Sequence, residues 1–156
     1  MEDGFDFDAF LTASSPMLAG YCAAIVGPAD AEDAAQEAYL RLWKKLGGIP
    51  NEAAAKAYLY RAAYSICLDM LRRRKRFREP EKPLPRDDSL SERTAAALMK
   101  LSPADRAILY GRAVEEESYG ELARRFGKNE AWARKRCSLA RKKLAVLLGP
   151  NGEDTT

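Results

Sequence analysis

Residues 30–46 carry an ordered polar set: Asp33, Gln36 and Glu37, then Arg41 and Lys44. Steps of three and four residues place the set on one face of a helix. Ala31, Ala34, Ala35, Ala38, Tyr39, Leu42 and Leu46 form the apolar stripe opposite. Such a face offers directional hydrogen bonds and ion pairs to a partner surface, more order than solubility alone requires. For Asp33 a second reading is a helix N-terminal charge favoured by the helix dipole. Polyanion binding is the other chemistry. Segment 47–76 holds 7 basic and 2 acidic side chains, and segment 124–148 holds 9 and 1, although the whole chain carries only +3. Local concentration of cations suits phosphate binding, because each neutralised phosphate releases counterions. The same runs also fit solvated helix faces.

Other chemistries find little support. Cys22, Cys67 and Cys137 are far apart and the chain has no histidine, so no metal site and no Cys–His nucleophile is expected. Each cysteine lies in a helical stretch and reads as a small buried hydrophobe. No apolar run approaching 18 residues is apparent, so no membrane insertion is expected. The acidic start Met-Glu-Asp-Gly lacks the features of a secretory signal. The chain is therefore expected in the cytoplasm, with no cofactor.

The elements that must position these residues are all helices, since no strand-like alternation appears and Val and Ile are scarce. A first helix is expected over about 7–26, kinked or restarted at Ser15-Pro16. Asp30 is expected to cap the second, with Asp33 in the capping-box place and Gly47-Gly48 stopping it. A third spans about 52–76. Leu59, Ala62, Ala63, Ile66 and Met70 share its buried face, with Arg61, Tyr64, Ser65 and Arg72 opposite, and it ends in Arg72, Arg73, Arg74, Lys75 and Arg76. Pro80, Pro83 and Pro85 mark an extended linker, followed by a short helix over about 90–100. Ser102-Pro103 and Ser118 with Glu121 signal two further helix starts. With Gly127 at the turn and Asn129 as a cap, residues 118–144 have the dimensions of a helix-turn-helix. Its second helix would bury Ala133, Cys137, Ala140, Leu144 and Leu147. It would present Arg134, Lys135, Ser138, Arg141 and Lys142 to a major groove. A basic hairpin that binds a protein partner would share this pattern.

Three segments together resemble the extracytoplasmic-function group of bacterial sigma factors. They are residues 30–43, residues 58–76, and Leu101-Ser-Pro-Ala-Asp-Arg-Ala-Ile-Leu109 with Ser118–Ala123 and Ala133–Leu144. The likeness covers roughly residues 7–148. It implies two small all-α domains joined by a flexible linker. Residues 1–76 would be a region 2 helical bundle, 77–97 the linker, 98–149 a region 4 helix-turn-helix and 150–156 a disordered tail. It also implies roles. Asp33, Gln36, Glu37 and Arg41 would bind the clamp helices of core RNA polymerase, whose flap would meet the second domain. Tyr60, Arg61, Tyr64, Ser65 and Arg72–Arg76 would open and hold the −10 element, with flipped bases stacked on tyrosine. Tyr60 and Tyr64 read equally as packing residues. Arg134, Lys135, Ser138, Arg141 and Lys142 would read the −35 duplex. Promoter DNA and an anti-sigma factor are the implied partners. The chain would not be an enzyme, because nucleotide addition belongs to the polymerase.

Departures from the family pattern bear on specificity. Ser65 stands where Asn is usual, Lys128 replaces an apolar turn residue, and Ala133 and Cys137 replace larger ones. Leu139 occupies a position often held by Arg, and Trp132 is unusual. Trp43 and Leu42 are expected in the core. The thinner core of the second lobe favours one rival, a sigma-like decoy that binds an anti-sigma factor without promoters. The basic segment 124–148 argues against it.

Overall fold

The computed structural model describes residues 5–77 and 92–153. Every regular element among them is helical, in two compact units, Met1–Lys82 and Pro83–Thr156.

The first unit is a three-helix bundle of α1 (Phe7–Val26), α2 (Pro28–Lys45) and α3 (Glu52–Arg76), with a 3₁₀ turn (Leu46–Gly48) after α2. Asp6 caps α1, its carboxylate accepting from the Ala9 N–H at 3.1 Å. The helix runs through Pro16 without a restart. By length and composition α1 is apolar enough to cross a membrane, contrary to the sequence expectation. In the bundle it buries Leu18, Tyr21, Cys22 and Ile25 completely, as a core helix does. Gly27, at φ +91°, joins α1 to α2 in one residue, a backbone conformation that suits glycine. Pro28 then takes the first helical position, where a missing N–H is harmless. Asp30 is therefore not the cap that the sequence suggested. It lies in the first turn, and its carboxylate receives Arg74 from the far end of α3.

Asn51 caps α3 through the Ala54 N–H at 2.9 Å. Ala34, Ala38 and Leu42 of α2 meet Ala55, Leu59, Tyr60, Ala63 and Cys67 of α3 in the core. Tyr21 and Tyr60 pack edge to face, centroids 4.8 Å apart. The Tyr39 hydroxyl shares a 2.6 Å hydrogen bond with Ser14 and ties α2 to α1. Burial pushes the Tyr39 phenol above its ordinary pKa of 10.0, which the Ser14 hydrogen bond opposes.

The second unit comprises α4 (Glu92–Met99), α5 (Pro103–Ala113), α6 (Tyr119–Phe126) and α7 (Glu130–Glu153). Ser102, Ser118 and Asn129 cap the last three, as the sequence signals. Gly127, left-handed at φ +67°, closes α6. Leu101, Ile108, Leu109, Leu122, Ala123, Ala133, Cys137 and Ala140 form the core, flanked by Trp132, Phe126 and Leu144. Trp132 lies against Phe126 at 5.4 Å, adding bulk beside Ala133. At Gly111 an added Cβ would sit 2.5 Å from Leu122 Cδ2, so the glycine allows α5 and α6 to approach.

Three expectations are corrected here. Part of the stretch 77–97 expected as linker is helical, because α4 begins at Glu92 and buries Ala97; residues 78–91 lie outside the described ones. Leu147 is exposed rather than buried, while its neighbour Leu148 is half-buried. Helix also continues to residue 153, beyond a break at Gly149 (φ +71°), where a disordered tail was expected; Pro150 follows the glycine and is suited to a first helical turn.

The second unit also buries charge. The Arg125 guanidinium, 2% exposed, bonds Glu115 at 2.7 Å and lies 3.6 Å from Glu117. Asp105, 1% exposed, accepts from Arg136 Nε at 2.8 Å and from Lys143 at 3.3 Å. Removing one member of a buried pair strands the other without water. Arg125→Ala is expected to lower the stability of this unit by about 3–5 kcal/mol, whereas Arg124→Ala, at an exposed neighbour, stays within about 0.5 kcal/mol. Urea unfolding followed by Trp132 fluorescence in a Trp43→Phe background measures both.

Candidate protein-docking and nucleic-acid interfaces

Asp33, Gln36 and Glu37 lie exposed along α2, with Arg41 half-buried beside them. Arg41 stands 3.8 Å from Glu37, and Gln36 donates to Glu32 at 3.4 Å. These are loose, solvated contacts that leave the groups ready for a partner. Two large apolar side chains join them at the surface, Leu40 at 54% and Trp43 at 58% exposure. Trp43 was expected in the core. The buried stripe instead ends on Leu42, and Trp43 turns outward to meet Phe7 edge to face at 5.1 Å. A polar face with exposed aromatic and aliphatic anchors has the composition of a protein interface.

The bundle adds residues that sequence reasoning did not place there. Asp33, Glu37 and Arg41 line a half-open groove of about 260 Å³ together with Ile66, Asp69, Met70 and Arg73 of α3. The signal was present in the sequence. Positions 66, 69, 70 and 73 continue the buried face of α3 by helical spacing, so its charged end was bound to border α2.

The set proposed for the −10 element is divided by the fold. Arg61, Ser65, Arg72, Lys75 and Arg76 are exposed, and Tyr64 is half-buried at their side. Arg61, Ser65, Arg72 and Arg76 follow steps of four, seven and four, which keeps them in one stripe. Arg72 lies 3.7 Å from Asp69, and Arg76 sits over the Phe77 ring at 5.0 Å. Three residues depart from the stripe. Tyr60 is 1% exposed inside the bundle and cannot stack on a base. Arg74 donates to the Val26 carbonyl at 3.2 Å and pairs with Asp30, so it braces the bundle. Arg73 faces the groove shared with α2.

On α7, Arg134, Lys135, Ser138, Arg141 and Lys142 are all exposed, as is Leu139. Arg136 and Lys143 are engaged by Asp105. The outward face thus keeps four cations within nine residues, a dense site for phosphate. Its N-terminal turn is the part of such a helix that reaches base edges. Arg134 is the most constrained of the four. It bonds Glu130 at 2.8 Å and lies 4.7 Å from the Tyr119 ring centroid.

Residues 10–77 match the family model described as Sigma-70 region 2, and residues 91–144 match Sigma-70, region 4. The chain is similar to the ECF RNA polymerase sigma factor SigM of Mycobacterium tuberculosis, 35% identical, over 77% of this chain and 65% of the relative. It is also similar to the ECF RNA polymerase sigma factor SigG of that organism, 28% identical, over 91% of this chain and 48% of the relative. The chain thus spans about two thirds and about half of their lengths. The fold is shared with the sigma factor RpoE solved in complex with the anti-sigma factor NepR from Bartonella quintana. That likeness has a TM-score of 0.77 at 23% identity, covering 92% of this chain and 96% of that one.

Burial separates Tyr60 from the exposed stripe, and the separation is measurable. Tyr60→Ala is expected to cost about 3–5 kcal/mol of stability through the cavity it leaves. Arg61→Ala, one residue on, is expected to change stability by no more than about 0.5 kcal/mol. Thermal unfolding of the two variants makes the comparison.

Proposed function

Because this chain belongs to the sigma-70 family, in its extracytoplasmic-function group, we propose that it directs core RNA polymerase to a specific set of promoters. The observation that carries this reading is the presentation of two different outward faces by two separate units. One is a polar face on α2 with exposed apolar anchors; the other is a cationic face on α7.

In this reading the clamp helices of the polymerase dock on Asp33, Gln36, Glu37 and Arg41. Asp69 and Arg73 supply the opposite wall of the groove. Arg61, Tyr64, Ser65, Arg72, Lys75 and Arg76 hold the opened −10 strand, with Tyr64 the remaining tyrosine able to stack on a base. Tyr60 and Arg74 act from within the bundle. Arg134, Lys135, Ser138, Arg141 and Lys142 meet the −35 duplex, while the same unit contacts the polymerase flap. The chain works in the cytoplasm and supplies no catalytic group, because transcription chemistry stays with the polymerase. An anti-sigma factor is a further proposed partner, which would compete for these faces.

Transcription from fragmented genomic DNA by core polymerase with this protein, with transcript 5′ ends sequenced, tests the proposal. Ends clustered behind a shared two-part motif are expected. Ends identical to those from core alone would overturn it in favour of the decoy. Site variants test the division of roles. Glu37→Lys places a cation beside Arg41 and Arg73 and is expected to weaken polymerase binding about tenfold or more. Arg134→Ala is expected to leave polymerase binding intact and reduce promoter-specific transcripts. Equal loss of both activities in Arg134→Ala would refute the division.

A further inference from the structure

Two guanidinium groups crowd one aromatic ring at the start of the helix-turn-helix. Tyr119 opens α6 directly after its Ser118 cap, and its ring is half-buried against the core of the second unit. Arg112 lies 4.3 Å from the ring centroid and Arg134 lies 4.7 Å from it. The Arg112 Nη1 also donates to the Glu117 carbonyl at 2.9 Å, so this first guanidinium is fixed to the backbone. The ring is therefore braced by the core and by Arg112, and it offers Arg134 a rigid surface. The other contact of Arg134 is Glu130, through a pair whose side chains are 62% and 57% exposed. Such an exposed pair is weak and easily displaced.

We propose that Arg134 is a specificity-determining residue that reads a guanine in the −35 duplex, and that Tyr119 is the positioning residue that holds its guanidinium for that contact. The inference rests on the reading that α7 enters a major groove. A guanidinium presents its donors in a planar fork, which fits the adjacent O6 and N7 acceptors of guanine. Free in solvent, the fork must be ordered before it can make both bonds. Contact with an aromatic face restrains its plane beforehand, so less freedom is lost on binding. The position on α7 decides between base and phosphate. Arg134 lies in the second turn, where such helices reach base edges, whereas Arg141 and Lys142 lie farther along, towards the backbone. Glu130 holds the fork until the base replaces it.

The test is selection of duplexes from a pool randomised across the −35 region, bound by the protein assembled with core polymerase. The wild type is expected to select a motif containing a guanine whose preference vanishes in Arg134→Ala, a loss of about five- to a hundredfold in discrimination at that position. Arg134→Lys, which keeps the charge and can still donate to O6 and N7 but lacks the planar fork, is expected to weaken the preference. Tyr119→Leu is expected to reduce it by about three- to fivefold and leave the other positions unchanged. Tyr119→Phe, which keeps the ring, should behave as wild type, and Tyr119→Leu should add nothing to Arg134→Ala. Retention of the full guanine preference by Arg134→Ala would overturn the proposal. A Tyr119→Leu variant that relaxes all positions equally, as a purely structural residue would, also overturns it. So does an Arg134→Ala variant that lowers the salt dependence by one phosphate contact with no base position affected. A wild-type protein that selects no motif removes the promoter-binding reading itself, and the inference with it.

Discussion

Two of the helices that present candidate interfaces, α2 and α7, dock on their own units largely through small side chains. On α2 the inward residues include Ala31, Ala34, Ala35 and Ala38, and on α7 they are Ala133, Cys137 and Ala140. The bulk of each core comes from the partner helices, through Leu18, Tyr21, Leu59 and Tyr60 in one unit and Ile108 and Leu122 in the other. Small residues allow close approach of helix axes. Alanine is also the best helix former and loses no side-chain freedom on burial. The outer faces are thereby released from core duty. Asp33, Gln36 and Glu37 on one helix, and Arg134, Lys135 and Ser138 on the other, take no part in the core.

In the second unit buried charge accompanies the apolar packing. Asp105 of α5 holds Arg136 and Lys143 of α7, while Arg125 of α6 is tied to Glu115 in the loop before it. Replacing such pairs by apolar residues is often neutral or stabilising, so their contribution is better sought in the register they impose. Arg136 marks the inner limit of the exposed cationic surface. The residues next to it in sequence, Arg134, Lys135 and Ser138, remain outside. The high basic charge of residues 124–148 is correspondingly divided between an outer share and an inner share neutralised by acids of other segments.

Local signals made much of this legible. Ser102, Ser118 and Asn129 act as caps because a short polar side chain before a helix has few other uses. Helical spacing likewise made the exposed face of α2 readable. The errors share one physical source, contacts between residues distant in sequence. Asp30 has the chemistry of a cap but is claimed by Arg74, 44 residues away. Tyr60 has the chemistry of a stacking platform but is enclosed by Tyr21 of α1. Trp43, next to the buried Leu42, and Leu147, next to the half-buried Leu148, lie at the margins of their apolar stripes and stay exposed. A periodicity shows which side of a helix is apolar; it does not show how wide a band of that side the neighbours cover.

The third helix brings these effects together. One side, at Ile66, Asp69, Met70 and Arg73, forms the groove with α2, and the adjacent side carries Arg61, Ser65, Arg72 and Arg76. Asp69 belongs to the first side and lies 3.7 Å from Arg72 on the second. A cation brought into the groove by a docking partner would compete with Arg72 for this carboxylate. The Asp69–Arg72 pair is exposed, at 54% and 74%, so little energy is needed to part it. Arg72 would then be released for a phosphate. On the proposed reading, docking on α2 strengthens the nucleic-acid stripe of α3 with no change in the backbone. The brace from Arg74 to Asp30 and the Val26 carbonyl ties the end of α3 to the start of α2 and the end of α1.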